Sequence, residues 1–162
     1  ELKTVPTQFI QTSNSYRKLQ MREPQIINGG IAFDDRGSVS FCNDFLFKDL
    51  GVERFYHISN RRKDYIRAWH GHEKESKYMY AADGTFRVGA ANMETDEVKT
   101  FYLDSRKPQL LFIPAGYANG FQNLTENNQL IIFSTSTLEE SLGDDIRFEW
   151  RKWNIWNNED YR

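Results

Sequence analysis

The chain has 162 residues, 39% of them hydrophobic, 15% aromatic and 27% charged, which suits one soluble domain with a buried core and requires no second. A formal net charge of −2 and a pI near 6.0 exclude a partner held by bulk positive charge, so neither nucleic acid nor a membrane surface is expected. The single cysteine, Cys42, excludes an intrachain disulfide framework; with no apolar leader or membrane-length apolar run in view, a cytoplasmic location is expected.

Residues 1–22 are polar and weakly periodic and read as an N-terminal extension, with Tyr16, Leu19 and Met21 as candidate anchors. Residues 23–162 are expected to form one domain. Short apolar or alternating runs recur at Ser38 to Phe41, Arg54 to Ile58, Tyr65 to His72, Tyr78 to Ala82, Thr85 to Val88, Val98 to Leu103, Leu110 to Ile113 and Leu130 to Thr135. Turn signals separate them, among them Gly29-Gly30, Asp34 to Gly37, Asp83-Gly84, Pro114 to Gly116 and Glu126 to Asn128. Many short strands at this spacing predict an all-β sandwich or barrel, and the middle of the chain shows no helical stripe. The tail carries Trp150, Trp153 and Trp156 at three-residue intervals, read as a hydrophobic clamp on the barrel or a dimer contact.

The densest chemistry lies between Arg67 and Gly84. His70 and His72 are two apart, so on a strand both imidazoles point to one face, as a metal half-site or an acid/base pair. Lys77 follows five residues after His72, and Gly84, in an Asp-Gly turn suited to a tight hairpin, seven after that. Downstream runs P-A-G-Y-A-N-G-F-Q-N, from Pro114 to Asn123.

These spacings resemble the two cupin motifs, H-x-H-x(3,4)-E-x(6)-G and P-x-G-x-x-H-x-x-x-N, which implies a double-stranded β-helix, or jelly-roll, barrel. Lys77 stands where the motif's metal-binding glutamate would be, and Asn119 where its last histidine would be. Two imidazoles, an ammonium and a carboxamide make a poor set for a divalent cation, so no metal and no cofactor is expected. His70, His72 and Lys77 suit proton transfer and oxyanion stabilisation instead.

The chain further resembles cupins that modify nucleotide-linked deoxyhexoses. F-D-D-R-G-S-V from Phe33, R-A-W-H from Arg67 and I-P-A-G-Y-A-N-G-F from Ile113 are similar to segments of the dTDP-4-dehydrorhamnose 3,5-epimerases, the last departing only at Asn119. R-A-W-H-G-H-E, preceded by Arg54, Tyr56 and Ile58, resembles the dTDP-4-keto-6-deoxyglucose 3,4-ketoisomerases. The resemblance implies an isomerase acting on a dTDP-linked 4-keto-6-deoxy sugar, with epimerisation at C3 and C5 ranked first and 3,4-ketoisomerisation second. A sugar-nucleotide binding module without catalysis is the alternative from another class, and a metal-dependent dioxygenase ranks last. By position, His70 is the implied base, Lys77 the enolate partner and His72 a second base. Arg36 and Arg67 are implied diphosphate ligands, and Asn119 and Tyr117 further substrate contacts. The family's acidic tyrosine falls near Phe133, leaving Tyr65, Tyr78 and Tyr117 as candidates, and its D-D-P is replaced by F-E-W-R around Glu149. Arg61-Arg62-Lys63 reads as solvated surface. A homodimer that trades an N-terminal strand, serving bacterial surface-polysaccharide synthesis, is implied by the same resemblance.

Overall fold

A computed structural model describes residues 22–156; apart from Arg22, the N-terminal extension with Tyr16, Leu19 and Met21 lies outside the described residues. In chain order the elements are β1 (Gln25–Asn28), β2 (Gly30–Asp34), β3 (Gly37–Phe41), α1 (Phe47–Leu50), β4 (Arg54–Ile58), β5 (Ile66–Gly71), β6 (Lys77–Asp83), β7 (Thr85–Asn92), β8 (Val98–Asp104), β9 (Gln109–Ile113), β10 (Tyr117–Asn123), β11 (Gln129–Ser134), α2 (Leu138–Leu142) and β12 (Ile146–Arg147). The strands form two five-stranded antiparallel sheets, ordered β1-β9-β6-β11-β4 and β12-β5-β10-β7-β8, with β2-β3 as a separate hairpin. Between β4 and β12 the chain changes sheet at every connection except β7 to β8, which is the winding of a jelly roll. Among the described residues no helix is long and apolar enough to cross a membrane.

Alternation along the strands sorts side chains between the barrel interior and two outer faces. Inside lie Met79 and Ala81 of β6, Phe86, Val88 and Ala90 of β7, Leu111 and Ile113 of β9, Phe121 of β10, and Leu130 and Ile132 of β11. The outer face of the first sheet carries Tyr78, Leu110 and Phe112, with Phe45 and Phe133 packed on them. The outer face of the second carries Trp69, Ala91 and Ala118, covered by Trp153 and Trp156 from the tail. Those two tryptophans meet Trp69 at ring distances of 5.4 and 5.2 Å, so the tail is a clamp on the barrel, while Trp150 stays partly exposed.

Three elements differ from the sequence-based expectation. The segment opened by Pro114 continues from Tyr117 as a full strand, β10, buried at the centre of its sheet despite its asparagines and glycine. The Asp83-Gly84 turn closes no hairpin. β6 pairs with β9 and β11 while β7 pairs with β8 and β10, so Gly84 is the corner where the chain crosses between sheets. Its φ of 75° and the closeness of Thr125 and Asn127 leave no room for a side chain. Two short helices also form; α2 starts with a capping box in which Thr137 and Glu140 bond each other's backbone N–H groups, a local signal too short for a helical stripe.

Candidate functional site

β5 aims the site, and it does so through an irregularity. Against β10, Asn119 is opposite His70 and Phe121 is opposite Arg67, so β5 contributes one extra residue between those pairs. Ala68 and Trp69 both pack toward the outer face, and Arg67 and His70, three apart, end up facing the interior together. Strict alternation would have put them on opposite faces.

Lys77 opens β6 on the same face as Met79 and Ala81 and is 7% exposed; its Nζ lies 3.0 Å from Nε2 of His72, itself 4% exposed. Burial lowers the pKa of Lys77; the Glu75 carboxylate opposes this and Arg54 adds to it. Burial also lowers the pKa of His72, and the nearby Lys77 amine lowers it further. His70 is the open member, with a 30% exposed side chain and Nδ1 4.0 Å from Asp145 Oδ1. Its pKa falls to about 4, first through burial and then through the positive charges of Arg147 and Lys77, so at neutral pH it is an unprotonated base.

Asn119 faces the same interior and donates from Nδ2 to the backbone carbonyl of His70 at 3.1 Å, which ties β10 to β5. Tyr117 packs against the inner core, with its hydroxyl 3.5 Å from Asn92 Nδ2. Among the described residues no group of three or more His, Cys, Asp or Glu is arranged to hold a metal ion. Lys77 Nζ occupies the neighbourhood of His72 Nε2, placing an amine beside the imidazole rather than a further metal-binding carboxylate.

At the start of β5, Arg67 donates from Nε to Asn60 Oδ1 at 2.8 Å. With Ser59, Asn60, Arg61, Arg62 and Tyr65 it lines a cavity of about 250 Å³. Arg61 and Arg62 are exposed, as the charge run suggested, yet they bring two more guanidinium groups to the cavity around Arg67. Arg36 is elsewhere, at the turn of the β2-β3 hairpin, exposed and paired with Asp34. The hairpin joins neither sheet, so within one chain the structure does not bring Arg36 to the histidines.

The search for an acid near Phe133 is corrected by the outward pointing of that residue, which stacks with Phe45, Phe47 and Phe55. Tyr78 is outward too, against Phe45 and Phe112, and Tyr65 is an exposed residue near Arg67. Tyr56, on β4, packs on the inner core with its ring beneath the Arg54 guanidinium at 4.9 Å; among the described residues it shares that face with Tyr117. Burial and the Glu75 charge push its pKa up to about 12, so it holds its proton at neutral pH.

Comparison with known proteins bears on the family and the fold. The family model for the WxcM-like, C-terminal domain (FdtA) matches residues 22–148. The chain belongs to this family. Among characterised relatives, the WxcM-like chain is 29% identical over 138 residues to the spore coat polysaccharide biosynthesis protein SpsL of Bacillus subtilis (strain 168), covering 78% of this chain and 89% of SpsL. Its fold is shared with QdtA, a sugar 3,4-ketoisomerase from Thermoanaerobacterium thermosaccharolyticum solved with TDP, at 21% identity and a TM-score of 0.65 over 80% of this chain and 90% of QdtA. A 3,4-ketoisomerase from Helicobacter canadensis gives 21% and 0.64 over 77% and 90%. The dTDP-4-dehydrorhamnose 3,5-epimerase from Bacillus anthracis, solved with TDP and PPi, gives 16% and 0.70 over 82% of each chain. The jelly-roll cupin fold of this WxcM-like protein is therefore shared with both kinds of sugar-nucleotide enzyme.

Sequence reasoning missed Asp145, Glu75 and Tyr56 as members of the site. Where F-E-W-R stands in place of the family's D-D-P, Glu149 is exposed and paired with Arg151, whereas Asp145 and Asp144, just before it, lie 4.0 Å from His70 and His72 respectively. The signal present was Asp-Asp itself, just after a capped helical turn. Tyr56 was visible as the middle of Arg54, Tyr56 and Ile58, whose alternation puts all three on one face.

Proposed function

We propose that this protein is a nucleotide-sugar isomerase that acts on a dTDP-linked 4-keto-6-deoxyhexose by removing a proton from a carbon beside the keto group. The observation that carries this reading is the placing of an open, unprotonated imidazole, His70, in the same barrel as a buried amine, Lys77. The hydrogen on a carbon next to a ketone is acidic because the electron pair left behind moves onto the oxygen. His70 takes that proton, and an N–H of Lys77 donates to the enolate oxygen as it forms. Epimerisation is completed when Tyr56 returns a proton to the opposite face of the same carbon, and its raised pKa keeps that proton in place until it is needed. Commitment of His72 Nε2 to Lys77 leaves one free base, which supports epimerisation at C3, and at C5 if the sugar is re-presented.

A 3,4-ketoisomerase is the second reading, supported by the presence of a second histidine and by the ketoisomerases among the similar structures. In either reading Arg67 holds the diphosphate, with Arg61 and Arg62 adding charge around the cavity, and Asn119 and Tyr117 line the sugar site. The unpaired β2-β3 hairpin exposes Phe33 and Val39 and carries Arg36, which supports a homodimer in which the hairpin packs on a second copy.

The deciding experiment is incubation with dTDP-4-keto-6-deoxyglucose in deuterated water, followed by proton NMR. Exchange at C3 and C5 means a double epimerase, exchange at C3 alone a single epimerase, and migration of the carbonyl to C3 a ketoisomerase. Binding with an unchanged spectrum would leave a binding module and sink the enzymatic reading.

A further inference from the structure

Glu75 is the most enclosed charged side chain near the site, and no role in the proton transfer above requires it. It lies in the loop between β5 and β6 with its side chain at 0% exposure. Ser134 of β11 donates to Oε1 at 2.5 Å, Ser141 of α2 donates to Oε2 at 2.7 Å, and Arg54 of β4 lies 3.5 Å from Oε1. The loop is pinned from outside by Asp144, which accepts the backbone N–H groups of Glu73, Lys74 and Glu75. So anchored, Oε2 stands 3.1 Å from Nδ1 of His72, whose other nitrogen meets Lys77 at 3.0 Å. The approach to Nδ1 is close but out of line; Asp144, with its carboxylate 4.0 Å from Nδ1 and its backbone also raising the pKa of His72, is the weaker acceptor facing the same ring.

A neutral imidazole carries one N–H and one lone pair, and here its neighbours decide which nitrogen has which. With the proton on Nε2, an N–H would face Lys77, whose ammonium form is donor-only, and the Nδ1 lone pair would face a carboxylate oxygen. Both contacts would repel. With the proton on Nδ1, the ring donates to Glu75 and accepts from Lys77, and both contacts attract. Burial of the ring makes the difference large, because little water screens either contact.

We propose that Glu75 is a positioning residue: it fixes the proton of His72 on Nδ1 and so presents a bare Nε2 that holds the Lys77 amine on its aim into the barrel. The consequence for turnover rests on the isomerase reading, but the tautomer is a property of the ligand-free protein. Glu75 also acts directly on Lys77, since its charge opposes the lowering of the lysine pKa by burial, Arg54 and Arg147, as Asp145 does from the other side.

The test is the long-range proton–nitrogen NMR spectrum of the imidazoles in the ligand-free protein at about pH 7.5. Three histidines are in the chain, so His57→Asn and His70→Asn variants assign the His72 signals by elimination. The expected wild-type spectrum has a protonated Nδ1 and a bare Nε2. Glu75→Gln keeps the size and the serine contacts and removes the charge; it is expected to give mixed or reversed tautomers. It should also lower kcat by about 10- to 100-fold with little change in KM, and shift the Lys77 limb of the pH–rate profile to lower pH. Ser141→Ala, which removes an anchor and keeps the charge, is expected to retain the tautomer and the profile, whereas a merely structural Glu75 would make the two variants alike. A wild-type His72 protonated on Nε2, or a Glu75→Gln protein with the wild-type tautomer and profile, would overturn the proposal. A wild-type His72 protonated on Nε2 overturns the proposal whether or not Glu75→Gln folds. A protonated Nδ1 in a protein that turns over no keto sugar would fault the isomerase reading and leave the positioning role standing.

Discussion

The two ends of β5 set polar groups into the barrel in opposite ways. At the start, Asn60 accepts from Arg67 and donates to Asn123 Oδ1 at 2.9 Å, Asn128 exchanges hydrogen bonds with the backbone of Asn60, and Asn123 donates onward to the carbonyls of Arg62 and Thr125. These amides are neutral and well bonded, so they act as scaffold and hold one guanidinium still. At the far end the groups are ionisable: two histidines, a lysine and three carboxylates share a small space, and one buried nitrogen is left without an aligned bond. Saturated amide networks have nothing to give up, whereas a crowded ionisable cluster has protons whose positions depend on one another. The first arrangement suits binding and the second suits proton transfer.

That contrast breaks most sharply at His70. His70→Asn should lower exchange of substrate protons with solvent by about 10² to 10⁴-fold while TDP affinity, measured by calorimetry, stays within a few-fold. Equal loss of both would mean that the histidine end is part of the binding scaffold. Lys77→Met, similar in length but without the donor, should raise the barrier by about 3 kcal/mol, read as roughly a hundredfold lower kcat. Retained turnover would remove the amine from the chemistry.

At the other end, Asn123→Ala leaves Asn60 and two backbone carbonyls short of a partner. It should cost about 1–3 kcal/mol in urea unfolding and raise KM more than it lowers kcat, because Arg67 loses its support. A stability loss with unchanged KM would uncouple the asparagines from Arg67. The smallest effect is in pH dependence of stability. The folded-state pKa of His70, about 4, lies below its ordinary value of 6.5, so between those values the unfolded chain binds a proton that the native protein does not. The His70 contribution is present in full above pH 6.5, declines as pH falls toward 4 and is flat below. The drop in melting temperature between pH 7 and pH 5 should therefore be smaller in His70→Asn than in wild type; an equal drop would argue against a buried, neutral His70.

Periodicity and turn residues made most of the barrel legible, because each strand carries its own alternation. Lys77, Met79 and Ala81 against Tyr78 and Tyr80 is one case. The local spacing of His70, His72 and Lys77 likewise announced a cluster on one face. The hidden parts depend on relations between strands. The extra residue that turns Arg67 and His70 to the same side exists only against β10, and Phe133 lost its expected place because β11 presents Ile132 and Ser134 inward. Asp145 and Tyr56 come from a post-helix loop and an edge strand far from the histidines in the chain, and Glu75, only three residues after His72, is turned onto that ring by contacts with β11 and α2.

The amino-acid order by itself determined an all-β barrel, the pairing of imidazoles with an amine, and the family to which they point, because those follow from short-range alternation and spacing. Tertiary structure alone decided which neighbours each imidazole meets, and hence which one is partly open and which is enclosed between a carboxylate and an amine. Proton affinity depends on burial and on charges a few ångströms away, and those distances arise only when strands distant in the chain are brought together.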